Sequence, residues 1–235
     1  MGNLRYKFQL HDRQIGAFAG PAITGSGGKC IVTASGSQAK ATLYDSAGAA
    51  LANPISLTRG GGEFYTASTV TEVDLFILTG EGFSVQLWDV GPDELHTVSV
   101  NRDNRHQMLI IPISVADQVS DNTEVDTGLD LIVGMVMLPW PHIKVETIDA
   151  GETVDVGTGQ AVPADGGDAN GYIAAASVAT AGLVKDVDGA LIALIITEIA
   201  APDSLTWTMS AGSDTATLYA FLPYMLMYTG SPTID

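Results

Sequence analysis

Turn-forming residues interrupt this sequence at short, regular intervals, and that punctuation governs its possible folds. Glycine (26 residues), joined by Asp, Ser and Thr, breaks the chain about every eight to twelve residues, and the runs between are rich in Val, Ile, Leu, Thr and Tyr. Helices of ordinary length do not fit between such breaks, and no long segment carries an apolar period of about 3.6 residues. The spacing predicts an all-β chain of two β-sandwich or jelly-roll-like domains with little helix.

Strands are expected over 30–35, 40–44, 62–65, 73–78, 84–89 and 96–101 in the first half. In the second half they are expected over 108–114, 130–138, 142–148, 152–156, 172–178, 190–196, 205–210 and 217–223. Apolar–polar alternation is visible in Ser84-Val85-Gln86-Leu87-Trp88-Asp89. Residues 44–49 read as a hairpin tip, with Asp45 and Gly48 supplying the turn chemistry. Proline has no N–H to give to a ladder, so Pro112, Pro139, Pro141 and Pro223 predict edge strands or strands that stop at the proline. The alanine-rich stretch 174–184 reads equally well as a helical turn and as strand–turn–strand. The most polar stretch in the middle of the chain, NRDNRHQ at 101–107, places a domain boundary near residue 103. The division is then an N-terminal arm or first strand (1–20), a β domain (21–103) and an acidic β domain (104–235).

Charge sharpens that division. The chain carries a net −17, yet residues 1–105 hold eight Lys/Arg against ten Asp/Glu, while residues 106–235 hold two (Lys144, Lys185) against seventeen. So acidic a surface repels phosphate backbones, and no nucleic-acid partner is expected. The near-neutral first half is the expected contact region and the acidic second half the solvent-facing one. The longest apolar stretches, 131–138 and 190–196, fall short of the roughly 20 residues a bilayer demands. The opening MGNLRYKFQLHDRQ has no apolar region behind its charges, so neither a leader nor a membrane association is expected. Cys30 is the single cysteine, which excludes an intrachain disulfide and suits a buried structural thiol in a reducing cytoplasm.

Catalytic chemistry finds little support. The four histidines (His11, His96, His106, His142) are scattered without metal-ligand spacing, and no GxSxG elbow occurs. Gly25-Ser26-Gly27-Gly28-Lys29-Cys30 lacks the spacing of a phosphate loop. The acidic turns at 165–171 and 186–189 offer oxygen ligands but no EF-hand spacing, so ordinary Asp/Gly turns explain them. No enzyme, cofactor or metal is expected.

The stretch Leu43-Tyr44-Asp45-Ser46-Ala47-Gly48-Ala49-Ala50-Leu51-Ala52-Asn53-Pro54, followed by Gly62-Glu63-Phe64-Tyr65 and Val73-Asp74-Leu75-Phe76-Ile77, resembles a module of tailed-bacteriophage virion structural proteins. Further likeness lies in Ile111-Pro112-Ile113-Ser114, in Glu124-Val125-Asp126-Thr127-Gly128-Leu129-Asp130-Leu131, and in Thr147-Ile148-Asp149-Ala150-Gly151-Glu152-Thr153. The resemblance touches most of residues 40–224 and leaves the first 25 aside. It implies a virion component with no catalytic residues, and within that class a capsid decoration (cement) protein on the head exterior. Implied partners are the major capsid protein and further copies of the chain, as a trimer. The protein would be made in the host cytoplasm and would reside in the virion.

Two contact regions follow. Leu4, Arg5, Tyr6, Lys7, Phe8 and Arg13 alternate apolar and basic, as suits an extended arm adding a strand to a neighbour's sheet, or the first strand of the chain's own domain. Phe221, Tyr224, Met225 and Met227 lie in an aromatic and methionine run suited to an oligomer core. Alternatives are a head fibre, collar or tail protein, and, from another class, a carbohydrate-binding module for host attachment. Exposure of Trp88, Trp140 or Trp207 would favour the last, and burial of all three would count against it.

Overall fold

The computed structural model describes residues 3–12, 28–80, 82, 84–100, 106–120, 122–131, 135–159, 168–185, 189, 203–210 and 215–226. Among them the chain is all-β, and the only helical element is a 3-10 turn, Val115–Asp117, capped by the Ser114 side chain accepting from the Ala116 N–H.

The first half forms two facing sheets. Sheet I runs β4 (Ala50–Leu51), β3 (Leu43–Tyr44), β6 (Gly61–Ala67), β1 (Asn3–Asp12) and β9 (Leu95–Val100). Sheet II runs β5 (Ile55–Ser56), β2 (Lys29–Ala34), β7 (Val73–Leu78) and β8 (Ser84–Val90). Period-two alternation decides what each strand buries. In β1, Tyr6, Phe8 and Leu10 point into the core while Arg5 and Lys7 face solvent. Tyr6 stacks on Phe64 at 5.2 Å, and its hydroxyl donates to the Val70 carbonyl at 2.7 Å.

Of the two readings of the N-terminal segment, an arm or a first strand, residues 3–12 form a strand of the chain's own sheet. β1 pairs antiparallel with β6 and parallel with β9, so both its edges are engaged. The hairpin tip forms as its residues predict, with Asp45 Oδ1 accepting from the N–H groups of Ala47 and Ala49, each at 2.9 Å. The strand expected over 40–44 shrinks to Leu43–Tyr44 because a side chain replaces its ladder. The Asn53 amide donates to the carbonyls of Val32 (2.7 Å) and Ala41 (2.8 Å) and accepts from the Val32 N–H.

The second half forms sheets III and IV. Sheet III runs β10 (His106–Ser114), β18 (Thr217–Leu226), β13 (His142–Thr147) and β16 (Gly182–Val184), with β12 (Met135–Met137) also on β18. Sheet IV runs β11 (Val125–Leu131), β17 (Asp203–Met209), β14 (Thr153–Thr158) and β15 (Ile173–Ser177). Leu109, Ile111, Ile113, Leu218 and Leu222 meet Leu129, Leu131, Val154, Val156 and Trp207 in one core. The stretch 174–184 resolves as strand–turn–strand. The 190–196 strand expectation lies outside the described residues.

Pro223 departs from expectation: it sits inside β18, which has neighbours on both sides. The placement is tolerated because pairing with β13 ends at Phe221 and pairing with β12 begins at Tyr224. The missing N–H falls in that gap, where the Pro223 carbonyl accepts from the Leu138 N–H at 2.8 Å. Pro112 lies in β10, an edge strand of sheet III, as its chemistry requires.

No described strand before residue 101 pairs with one after it. The halves nonetheless share a packed face. Every residue of β7 is buried, a pattern that requires both faces of sheet II to be covered. Val73, Leu75 and Ile77 enter the first core, whereas Phe76 and Leu78, with Ile31 of β2, enter the second. Sheet II lies against β10 and β11, the edges of the second pair of sheets. Across this junction Gln38 Nε2 donates to the Tyr219 hydroxyl at 2.9 Å, and the Ser84 N–H donates to Gln107 Oε1 at 2.9 Å.

Candidate functional site

The residue types that make chemistry stay apart. Among the described residues, no group of three His, Cys, Asp or Glu is placed to hold a metal ion. His11 and His96 sit on the adjacent strands β1 and β9, but alternation puts them on opposite faces of sheet I. His142 is on sheet III, its ring stacked on Phe221 at 4.7 Å. Cys30 is fully buried, and burial pushes its thiol pKa up, so it is held as an inert thiol. At 168–171 the backbone closes an ordinary turn, with the Asp168 carbonyl accepting from the Gly171 N–H at 3.0 Å. Residues 165–167 and 186–188 lie outside the described residues.

Perturbed pKa values can mark a functional site, and one pair here is perturbed by burial. Burial pushes the Lys40 ammonium pKa down, against the pull of Asp117 and Asp126. Burial pushes the Asp117 carboxyl up, offset by the bond from the Lys40 N–H. Lys40 Nζ donates to the Asp126 carbonyl at 3.1 Å, and its N–H reaches Asp117 Oδ2 at 3.3 Å. Both contacts cross between the halves, so Lys40 works as a clamp at the junction.

What the fold offers instead is open sheet faces. On sheet I, Arg5, Lys7, Glu63, Tyr65 and Leu95 share the outer face, with Arg5 opposite Tyr65 and Lys7 between Glu63 and Leu95. Arg5 grips Glu63 through two bonds of 3.0 Å and holds that carboxyl below its ordinary pKa. On sheet III, register aligns Met108 with Pro223, Ile110 and His142 with Phe221, and Lys144 with Tyr219 on one outer face.

These placements sort the predicted contact residues. Arg5 and Lys7 are open to solvent, and Phe221 and Met225 are half-buried on the outer face of sheet III. Tyr6, Phe8 and Tyr224 are core residues, which corrects their reading as contact residues: each falls on the inward phase of its strand. Leu4 is half-buried and packs against the first core. Arg13 and Met227 lie outside the described residues.

The tryptophans divide. Trp207 is buried, whereas Trp88 is 50% and Trp140 75% exposed. Sequence reasoning missed why. β8 carries a bulge in which Trp88 and Asp89 together oppose Asp74, and Asp89 has φ 53°. Asp74, itself buried, holds the bulge by accepting from the Asp89 N–H at 2.9 Å and the Gly36 N–H at 3.2 Å. The available signal was Asp74 itself, a carboxylate inside an otherwise apolar strand.

No protein-family model matches the chain, and neither a curated protein nor a solved structure matches it.

Proposed function

We propose that this chain is a structural component of a bacteriophage particle, a capsid decoration (cement) protein that binds the head exterior and stabilises the shell. Supporting this reading are the sequence resemblance and one structural observation. The outer face of sheet I carries Arg5 and Lys7 on the near-neutral half, while the other half holds a net −15, two Lys against seventeen Asp/Glu. A protein laid on a lattice needs one face for the shell and another for water, and such charge asymmetry suits that division. The major capsid protein is the partner in this reading. Further copies would meet through Phe221 and Met225, with a trimer as the expected assembly.

Removing residues 1–20 would excise β1 from between β6 and β9, so point changes on its outer face are the appropriate probe. Purified protein is pelleted with particles that lack it, beside Lys7→Glu. Saturable binding, weakened about tenfold by the charge reversal, supports the reading. Absence of binding at every concentration overturns it and transfers the proposal to a head fibre, collar or tail part.

A further inference from the structure

An aromatic strip crosses from sheet II onto the outer face of sheet III. It begins at Trp88, whose ring meets Phe76 at 5.2 Å and Tyr219 at 5.8 Å, both at 88°. Tyr219 leads to Phe221 at 6.5 Å, and Phe221 to the stacked His142 at 4.7 Å. Two residues before His142, on the loop entering β13, stands the exposed Trp140.

Both exposed tryptophans are set by backbone that has left regular strand geometry. The Asp74-anchored bulge fixes Trp88, and Trp140 takes φ 72° between Pro139 and Pro141. A bulky residue with positive φ is a true outlier, and such strain collects where a side chain is held for use. Tyr219 is fixed through its hydroxyl by Gln38, and Phe221 by the His142 ring. Rings already fixed lose little freedom when a ligand arrives.

We propose that this strip is a glycan-binding track. Its ligand is a neutral, β-linked oligosaccharide whose pyranose C–H faces lie on Trp88 and Trp140. Between them Tyr219 is buried and Phe221 half-buried, so the two exposed tryptophans carry the contact with the ligand. Polar groups that hydroxyls require stand beside them: Lys144, opposite Tyr219 in register, its neighbour Glu146, and Asp89 are all exposed. Charge selects the sugar class, because the acidic half together with Glu146 and Asp89 repels uronic or sialic acids. This inference stands apart from the shell contact proposed for sheet I, and it competes for Phe221 with the proposed meeting of copies.

The test is titration of the full chain with cellohexaose, laminarihexaose and chitohexaose by tryptophan fluorescence and calorimetry, with polygalacturonate as anionic control. Saturation by at least one neutral hexamer is expected, unchanged at about 0.5 M salt and absent with polygalacturonate. Trp88→Ala and Trp140→Ala should each weaken it about tenfold or more. Trp88→Ala also removes a neighbour of Phe76 and Tyr219, so the largely solvated Trp140→Ala serves as the independent variant, with circular dichroism confirming the fold of both. The proposal is overturned if no neutral hexamer binds at millimolar concentration, or if binding survives both substitutions. It is likewise overturned if either substitution converts an oligomer to monomer in sedimentation, which would make the strip a contact between copies.

Discussion

Tyr224→Phe separates the two roles that the run near the C-terminus suggests. The Tyr224 side chain is fully buried, and its hydroxyl lies within hydrogen-bond reach of the Gly82 carbonyl, in the turn between β7 and β8, and of Gln107 Oε1 at 3.0 Å. Gln107 Oε1 keeps a donor after the substitution, the Ser84 N–H. The Gly82 carbonyl loses the phenol, and an acceptor stranded in this way costs about 1–3 kcal/mol. At about 2–4 °C per kcal/mol for a chain of this size, the melting temperature should fall by about 2–12 °C. Thermal unfolding followed by the fluorescence of buried Trp207 and by circular dichroism measures it. Sedimentation velocity of the same samples should show an unchanged association state. An unaltered melting temperature with altered association would refute the burial argument and return Tyr224 to an interface between copies.

Alkaline pH should weaken the fold through the same residue and Cys30. Burial raises both folded-state pKa values, so above the unfolded pKa values, about 8.5 for the thiol and about 10 for the phenol, the unfolded chain holds fewer protons than the folded one. Stability is then fully present below about pH 8.5 and falls by up to about 1.4 kcal/mol per pH unit for each group; urea unfolding from pH 7 to 11 should show the decline, and Tyr224→Phe should flatten its upper part. Gly128→Ala should lower stability by about 2–4 kcal/mol, because φ is +75° and an added Cβ would lie 2.1 Å from Pro54 Cγ. Gly48→Ala, at φ +83° with open space around it, should lose only about 1 kcal/mol in the same denaturant titration, and equal losses would contradict the clash. Thr33 is fully buried and its hydroxyl has no partner among the described residues, so Thr33→Val should raise stability by about 1 kcal/mol, and a loss in calorimetry would count against that view.

Much of the fold is legible because alternation and turn chemistry are local. Leu4, Tyr6, Phe8 and Leu10 announce an extended segment with one buried face, and Asp45 with Gly48 announces a hairpin tip. What local pattern does not carry is which neighbour a strand meets. Nothing in β1 says that it pairs parallel with β9, and nothing in β7 says that Phe76 and Leu78 enter a different core from Val73 and Leu75. β11 escaped notice because Gly128, at positive φ, interrupts the inward series Thr127, Leu129, Leu131. Tyr224 was readable: Leu218, Ala220, Leu222 and Tyr224 share one phase, and following it through β18 assigns them all inward. The exposure of Trp88 had one local signal, Asp74 in an apolar strand, while the bulge that Asp74 holds spans two strands and leaves no pattern in β8 itself.

The most direct test is cryo-electron microscopy of phage heads lacking this protein after incubation with the purified chain. The capsid reading predicts added density at fixed, symmetry-related sites on the head exterior, with the outer face of sheet I, bearing Arg5 and Lys7, against the shell. Heads that stay bare, or density that meets the shell only through sheet III, would contradict it.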